Sequence, residues 1–195
     1  MTAAPADSPF RDRRVLVGVT GGIAAYKTAM VVSRLAQAGA SVTVAMTPSA
    51  TRFVTPLTFQ SLSARPVYTD PWQHVESQDP QHISLAGSID AAVVAPCTMD
   101  CMARLATGRT DDVVTLILSA VDRARTPVLL APSMNSVMWS QPSTQRNLRT
   151  LVEDGFRIVG PGEGWQACRH VGAGRMSEPE AILAALGAAL AQARR

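Results

Sequence analysis

Lysine is all but missing from this chain of 195 residues: Lys27 is the sole one, and the positive side of a net charge of only +3 is carried by arginine. The arginines, among them Arg34, Arg52, Arg65, Arg104, Arg109, Arg146 and Arg175, are scattered and form no basic run. Aromatic residues make up only 5% of the chain. An interleaved basic and aromatic surface for nucleic acid is therefore not expected. No apolar run approaches the ~20 residues that a membrane span requires, and Val113–Val121 reads as a buried element. Met1–Phe10 is rich in Ala and Pro and has no apolar segment of the signal-peptide kind. Three cysteines without an export signal argue for reduced thiols and a cytoplasmic protein.

What is present is an ordinary globular mixture, 47% apolar and 17% charged, with enough length for one domain and a sizeable core. Short apolar runs at Arg14–Val19, Ser41–Met46, Asp90–Ala95, Thr126–Ala131 and Phe156–Val159 alternate with helix-like stretches. Ile23–Ala38 has helical spacing and stops at Gly39; Glu178–Ala191 carries Pro179 near its first turn. Near-continuous apolar strands between helices predict a doubly wound α/β domain: an open parallel sheet of five or six strands, Rossmann- or flavodoxin-like, with helices on both faces. Residues 1–11 are expected to be disordered and residues 12–195 to form the single domain. Within it, the five glycines of Gly160–Gly174 suggest a mobile flap at about 160–176.

Four segments have residue types suited to chemistry. The turn Val19-Thr20-Gly21-Gly22-Ile23 follows the first strand, where glycines and a helix start suit a phosphate. The second strand ends in Thr47-Pro48-Ser49 rather than in the acidic residue that binds the ribose of NAD. That favours a mononucleotide such as FMN; an NADP reading through Arg52 is the weaker alternative. Cys97 and Cys101, in Ala95-Pro96-Cys97-Thr98-Met99-Asp100-Cys101, are four apart without further ligands at zinc spacing, so buried thiols are expected and no metal. His82 has the titration range of an acid or base, as do His74 and His170, and composition does not choose among them. Cys168, beside Arg169 and His170 and flanked by glycines, suits a reactive thiol on a lid. Finally, Asn135, Met134 and Met138 follow the strand ending at Ala131, a position better suited to a ligand than to a core.

Together these segments resemble the homo-oligomeric flavin-containing cysteine decarboxylases. Pro132-Ser133-Met134-Asn135-Ser136-Val137-Met138-Trp139 matches that family's Pro-x-Met-Asn-x-x-Met-Trp motif at every fixed position, and the resemblance runs from Arg14 to Ile182. It implies FMN as cofactor, with Gly21, Gly22, Ile23, Thr47 and Ser49 on its phosphate side and Thr98, Met99, Asp100 and Cys101 against the flavin. It implies His82, Asn135 and Cys168 as catalytic residues, and Asn135, Met138, Gln166 and Ala167 as contacts to substrate. It further implies a homotrimer or homododecamer with flavin near subunit contacts.

The Ala167-Cys168 pair, followed by Gly172-Ala173-Gly174-Arg175-Met176, is close to the family branch that decarboxylates phosphopantothenoylcysteine in coenzyme A biosynthesis and reduces the enethiol formed. The peptidyl-cysteine branch, which releases the enethiol, lacks this cysteine and is the alternative. A non-catalytic flavin-binding regulatory subunit is a third reading, disfavoured by the joint presence of His82, Asn135 and Cys168. Two departures from the family pattern stand out. Asp100 occupies the place of an asparagine in the flavin-side loop, and Arg169-His170 replaces Gly-Asp after the flap cysteine.

Overall fold

The computed structural model describes residues 8–73 and 80–193. His74 lies outside them, as do residues 1–7 of the segment expected to be disordered. The folded chain starts earlier than residue 12: Phe10 is buried, and a Cβ at Gly187 would sit 3.3 Å from Pro9 and 3.5 Å from the Phe10 ring. An aromatic side chain packed on the terminal helix keeps Ser8–Arg11 in place where composition alone suggested a loose tail.

Six parallel strands make the main sheet: β1 (Arg14–Val19), β2 (Ser41–Met46), β3 (Val67–Tyr68), β4 (Ala91–Cys97), β5 (Val128–Pro132) and β6 (Arg157–Ile158). Their order is β3-β2-β1-β4-β5-β6. Helices α1 (Ala25–Gln37), α2 (Pro56–Ser63) and α8 (Pro179–Ala193) share one core with Val15, Val17 and Val19. Leu16 points the other way, into a second core with α3 (Gln81–Ser88), α4 (Met99–Ala106), α5 (Val113–Ser119) and α7 (Pro142–Glu153). Successive residues of a strand face opposite sides of a sheet. Both faces of β1 are therefore apolar because both are covered, and its sequence reads as an unbroken run instead of an alternation. Gly18 fits here for want of space: a Cβ would lie 2.8 Å from Val114 Cγ1, so α5 packs directly on the strand. The doubly wound fold is as expected. Of the six strands of this sheet, only β3, two residues long and flanked by polar chain, had no apolar run to announce it.

Strand order reverses between β1 and β4, and ligands of open α/β sheets bind at such a switch point, outside the carboxyl ends of the strands. The structure ties these two strand ends together. Thr20 Oγ1, just past β1, donates to Pro96 O at 2.6 Å and accepts from Thr98 N at 3.1 Å. Thr28 Oγ1 on α1 donates to Ala95 O at 2.6 Å. Past β5 come the short helix α6 (Ser136–Ser140) and α7, and past β6 the chain makes an antiparallel hairpin, β7 (Gly162–Trp165) and β8 (Val171–Arg175). This hairpin is the segment expected as a flap. It leans over the switch point.

Candidate active site

A cleft of about 1050 Å³ opens between the start of α1, the start of α4, the Asn135 loop and the hairpin. Ligand sites of this kind run to ~300–1,000 Å³, so there is room for a mononucleotide and a second molecule together. Gly21 makes one end possible: a Cβ there would overlap the Cβ of Ser49, so only glycine lets the first turn meet the turn after β2. At Gly22 a Cβ would touch Thr98 Cγ2 at 3.4 Å. Three strand ends thus converge. No side chain caps the N-terminus of α1, and its first turn holds no acidic residue. The positive end of its dipole is left to an anion.

The opposite wall carries Asn135 and Cys168. Asn135 is the N-cap of α6: its Oδ1 accepts from Val137 N at 2.8 Å, which fixes the amide orientation. The other end of that amide, Nδ2, donates to Cys168 Sγ at 3.0 Å. The hairpin is held there by backbone: Met134 N donates to Gly174 O at 2.9 Å. Gly174 has φ +124°, and a Cβ on it would overlap Met134 O, so a glycine is required twice over. At the hairpin base Glu178 Oε1 accepts from both Lys27 Nζ at 2.8 Å and Arg175 Nη2 at 2.6 Å. The hydrogen bond from Lys27 holds the Glu178 carboxyl below its ordinary range. Its folded value being depressed, this clamp is complete above the ordinary carboxylate range and is lost as pH falls through the lowered value.

Asp100 is not left as a bare charge. Arg104, one turn along α4, donates from Nε to Asp100 Oδ2 at 2.8 Å and from Nη1 to Asp111, with Asp112 Oδ2 at 3.8 Å. The hydrogen bond to Asp100 is the largest influence on the Arg104 guanidinium; desolvation opposes it, and with Asp111 added the group is held above its ordinary value. Burial works to raise the Asp111 carboxyl, but hydrogen bonds from Arg104 and Arg109 outweigh it and hold the group low. Asp112 meanwhile caps α5, accepting from Val114 N at 2.9 Å and Thr115 N at 3.0 Å. Cys97 and Cys101 are both buried, Cys97 at the end of the strand and Cys101 in the helix. They do not share a helix face, yet they touch across the strand-to-helix junction. A hydrogen bond with Cys97, and burial after it, push the Cys101 thiol well up. Such a thiol is a packing group, not a nucleophile. Among the described residues no three His, Cys, Asp or Glu side chains converge as metal ligands.

One cleft thus gathers Gly21, Gly22, Ile23, Thr47 and Ser49 at one end, Thr98, Met99, Asp100 and Cys101 along it, and Asn135, Met138, Gln166, Ala167 and Cys168 on its far wall. Gln166, expected to touch substrate, does line it, but its side-chain amide is taken up by protein partners. His82 is absent from the lining: it lies half-buried on α3, whose buried face is Gln81, Leu85 and Ala86. Reading by residue type passed over Lys27, Arg104, Asp111, Asp112 and Trp165, which also line the cleft. The pairing of Asp100 with Arg104 was readable as i, i+4 neighbours on a helix.

Residues 4–191 match the family described as Flavoprotein. The bifunctional coenzyme A biosynthesis protein CoaBC of Bacillus subtilis is 46% identical over 174 residues, which are 89% of this chain and 42% of that protein. Its counterpart in Escherichia coli is 41% identical over 171 residues, 88% of this chain and 41% of the relative. The chain therefore spans about two fifths of the length of these curated relatives. Among solved structures it is similar to a mutant of PPC decarboxylase complexed with pantothenoylaminoethenethiol, at 30% identity and a TM-score of 0.81, covering 90% of this chain and 96% of that one. The FMN-dependent cysteine decarboxylase SpaF is similar at 29% identity and a TM-score of 0.80, covering 95% and 99%. With a family match over nearly all its length, this chain belongs to the flavoprotein family.

Proposed function

We propose that this chain is an FMN-dependent decarboxylase that converts phosphopantothenoylcysteine to phosphopantetheine in the cytoplasm, releasing carbon dioxide. The observation that carries the reading is the 3.0 Å contact between Asn135 Nδ2 and Cys168 Sγ on the wall facing the phosphate end of the cleft. A carboxylate-binding amide and a proton-bearing thiol are the two groups that loss of carbon dioxide followed by re-reduction needs. The curated relatives act in coenzyme A biosynthesis, and the pantothenoylaminoethenethiol of the PPC decarboxylase complex is the decarboxylated, unsaturated form of such a substrate.

The residues fit FMN: Gly21, Gly22, Thr47, Ser49 and the uncapped α1 would hold its phosphate, and Thr98–Cys101 would flank its ring. When bound, the flavin supplies the two-electron exchange that lets a cysteine thiol become a thioaldehyde and the product become saturated again. The protein does the rest. Asn135 offers two N–H donors to the substrate carboxylate until it leaves as carbon dioxide. The hairpin covers the cleft and keeps water from the enethiol. Cys168 then gives its proton to the carbon that lost carbon dioxide.

Product analysis by mass spectrometry after incubation with phosphopantothenoylcysteine tests this. A saturated product lighter by one carbon dioxide is expected. Untouched substrate in the presence of bound flavin would sink the assignment. Cys168→Ser is expected to decarboxylate still but to leave the enethiol as main product; a normal yield of saturated product would remove Cys168 as proton donor. Gly21→Ala is expected to purify folded but with most of its flavin lost, as read from the ratio of absorbance at 450 nm to that at 280 nm, since Ser49 must move to admit the methyl group.

The reading includes a homotrimer, or a homododecamer built of trimers, with His82 entering the cleft of a neighbouring copy. Support comes from the cleft rim, where Ile23 and Tyr26 are 57% and 58% exposed. Apolar side chains left open at the mouth of a cleft mark a surface that another chain covers. His82 is half-buried on a helix whose next residue, Ile83, is exposed in the same way.

A further inference from the structure

We propose that Gln166 is the positioning residue for the Cys168 thiol and that, with Asn135, it forms a cradle of two amides of opposite polarity around the sulphur. One amide holds the proton before transfer; the other meets the charge left behind. The inference rests on the decarboxylase reading above and gives Gln166 a part in it.

Gln166 opens the turn at the hairpin tip. Its N–H donates to His170 O at 2.8 Å, and its carbonyl accepts from Arg169 N at 2.9 Å, with Arg169 at φ +65°. This places Cys168 at the apex. Cys168 is exposed, whereas Gln166 is only 7% exposed. A buried amide must find partners for both ends, and here its neighbours decide which end is which. Nε2 donates to Ala173 O at 2.9 Å and Gly172 O at 3.3 Å, across on β8. Oε1 accepts from Ser136 N at 3.2 Å, in the first turn of α6. Rotating the amide by half a turn would set an oxygen against two carbonyls and an N–H against an N–H. The oxygen is therefore the atom that Cys168 Sγ approaches, at 3.5 Å, and the thiol is the donor in that pair.

Asn135 is oriented by the same logic. Its Oδ1 is committed to Val137 N, so Nδ2 is what reaches Sγ at 3.0 Å. The sulphur thus has an acceptor on one side and a donor on the other, and both amides are anchored on the first turn of α6. The thiol of an otherwise exposed loop residue is placed relative to Asn135 within one hydrogen-bonded unit.

In the second half of the reaction the S–H bond breaks and its proton goes to the carbon freed of carbon dioxide. FMN, held by Gly21, Gly22, Thr47 and Ser49, would supply the hydride that the sulphur-bearing carbon needs. The electron pair of the broken bond stays on Cys168 Sγ, where the Asn135 Nδ2–H bond stabilises it until water restores the proton. While the substrate carboxylate takes both N–H donors of Asn135 Nδ2, none is left for the Cys168 sulphur. Departure of carbon dioxide frees it for the sulphur, so the arrangement favours protonation after decarboxylation.

The test uses flavin-loaded wild type, Gln166→Met and Gln166→Glu. Gln166→Met keeps the length of the side chain and removes every hydrogen bond. Gln166→Glu keeps an acceptor for Ser136 N and the thiol while losing both donors to β8. Two quantities are read: the ratio of saturated to enethiol product, and the rate at which iodoacetamide alkylates Cys168, followed by peptide mass. The ratio is expected to fall about tenfold or more in Gln166→Met, the scale of a mispositioned general acid, and less in Gln166→Glu. Alkylation of Cys168 is expected to change severalfold in Gln166→Met. A loss of overall turnover with the product ratio and the alkylation rate both unchanged would reduce Gln166 to a structural role and overturn the proposal. If the wild type leaves phosphopantothenoylcysteine untouched, the function above fails by itself, and alkylation still decides whether Gln166 positions the thiol: an unchanged rate in both variants refutes it.

Discussion

Asn135→Asp is expected to abolish carbon dioxide release while leaving a folded, yellow protein. The two halves of that expectation come from the two ends of one side chain. Aspartate retains the oxygen that accepts from Val137 N at 2.8 Å, so the cap of α6 and the path of the chain survive. It lacks Nδ2, the end that reaches Cys168 and that would hold the substrate carboxylate. Losing a hydrogen bond to a charged group costs about 1.5–3 kcal/mol. Facing two carboxylates at about 4 Å adds about 4 kcal/mol at the effective dielectric of a partly open site. A total of about 6 kcal/mol corresponds to roughly 10⁴-fold in rate. Single-turnover measurement of carbon dioxide, with flavin absorbance and thermal melting as controls for the site and the fold, checks it. Turnover within about tenfold of wild type, on the same energy scale, would take Asn135 out of the mechanism.

The contrast between what the sequence disclosed and what it withheld follows from range. The strands β1 and β2 were legible to the residue because parallel strands buried on both faces are continuous apolar runs bounded by glycine or polar turns. The crowded first turn was legible for a similar reason: Gly21 and Gly22 stand where turns press together, and glycine is the local answer to that crowding. Cys97 and Cys101 illustrate the limit. Four residues apart, they would share a face on one helix, but a strand ends between them, and their contact is made by a change of element that spacing does not encode. Gln166 is a second case. An amide in a glycine-rich segment reads as a group for a ligand, yet burial and four polar partners from three different segments make it part of the scaffold. Asp100 is a third: it stands where the family pattern has a neutral amide, and Arg104 answers its charge from the next turn of α4.

His82 is where sequence resemblance and single-chain geometry diverge most, and the divergence makes a sharp prediction. A histidine acting as acid or base contributes about 10²–10⁴-fold, so His82→Asn alone is expected to be nearly inactive, as Asn135→Asp is. Yet His82 does not line the cleft that holds Asn135 and Cys168. If each cleft takes its histidine from a neighbouring copy, the two inactive variants repair one another when co-assembled. In a random equal mixture a cleft has intact Asn135 half of the time and an intact neighbouring His82 half of the time. About one quarter of wild-type activity is then expected from a head-to-tail ring. Were both residues used from the same chain, no cleft in the mixture would hold an intact pair and activity would stay at the level of the single variants. Co-expression with two affinity tags, tandem purification of the hybrids and comparison with remixed homo-oligomers distinguishes these outcomes. Recovery requires contact between chains, so it reports at the same time on the interface offered by Ile23 and Tyr26 at the cleft rim. Substituting both by serine is expected to abolish the recovery together with the assembly.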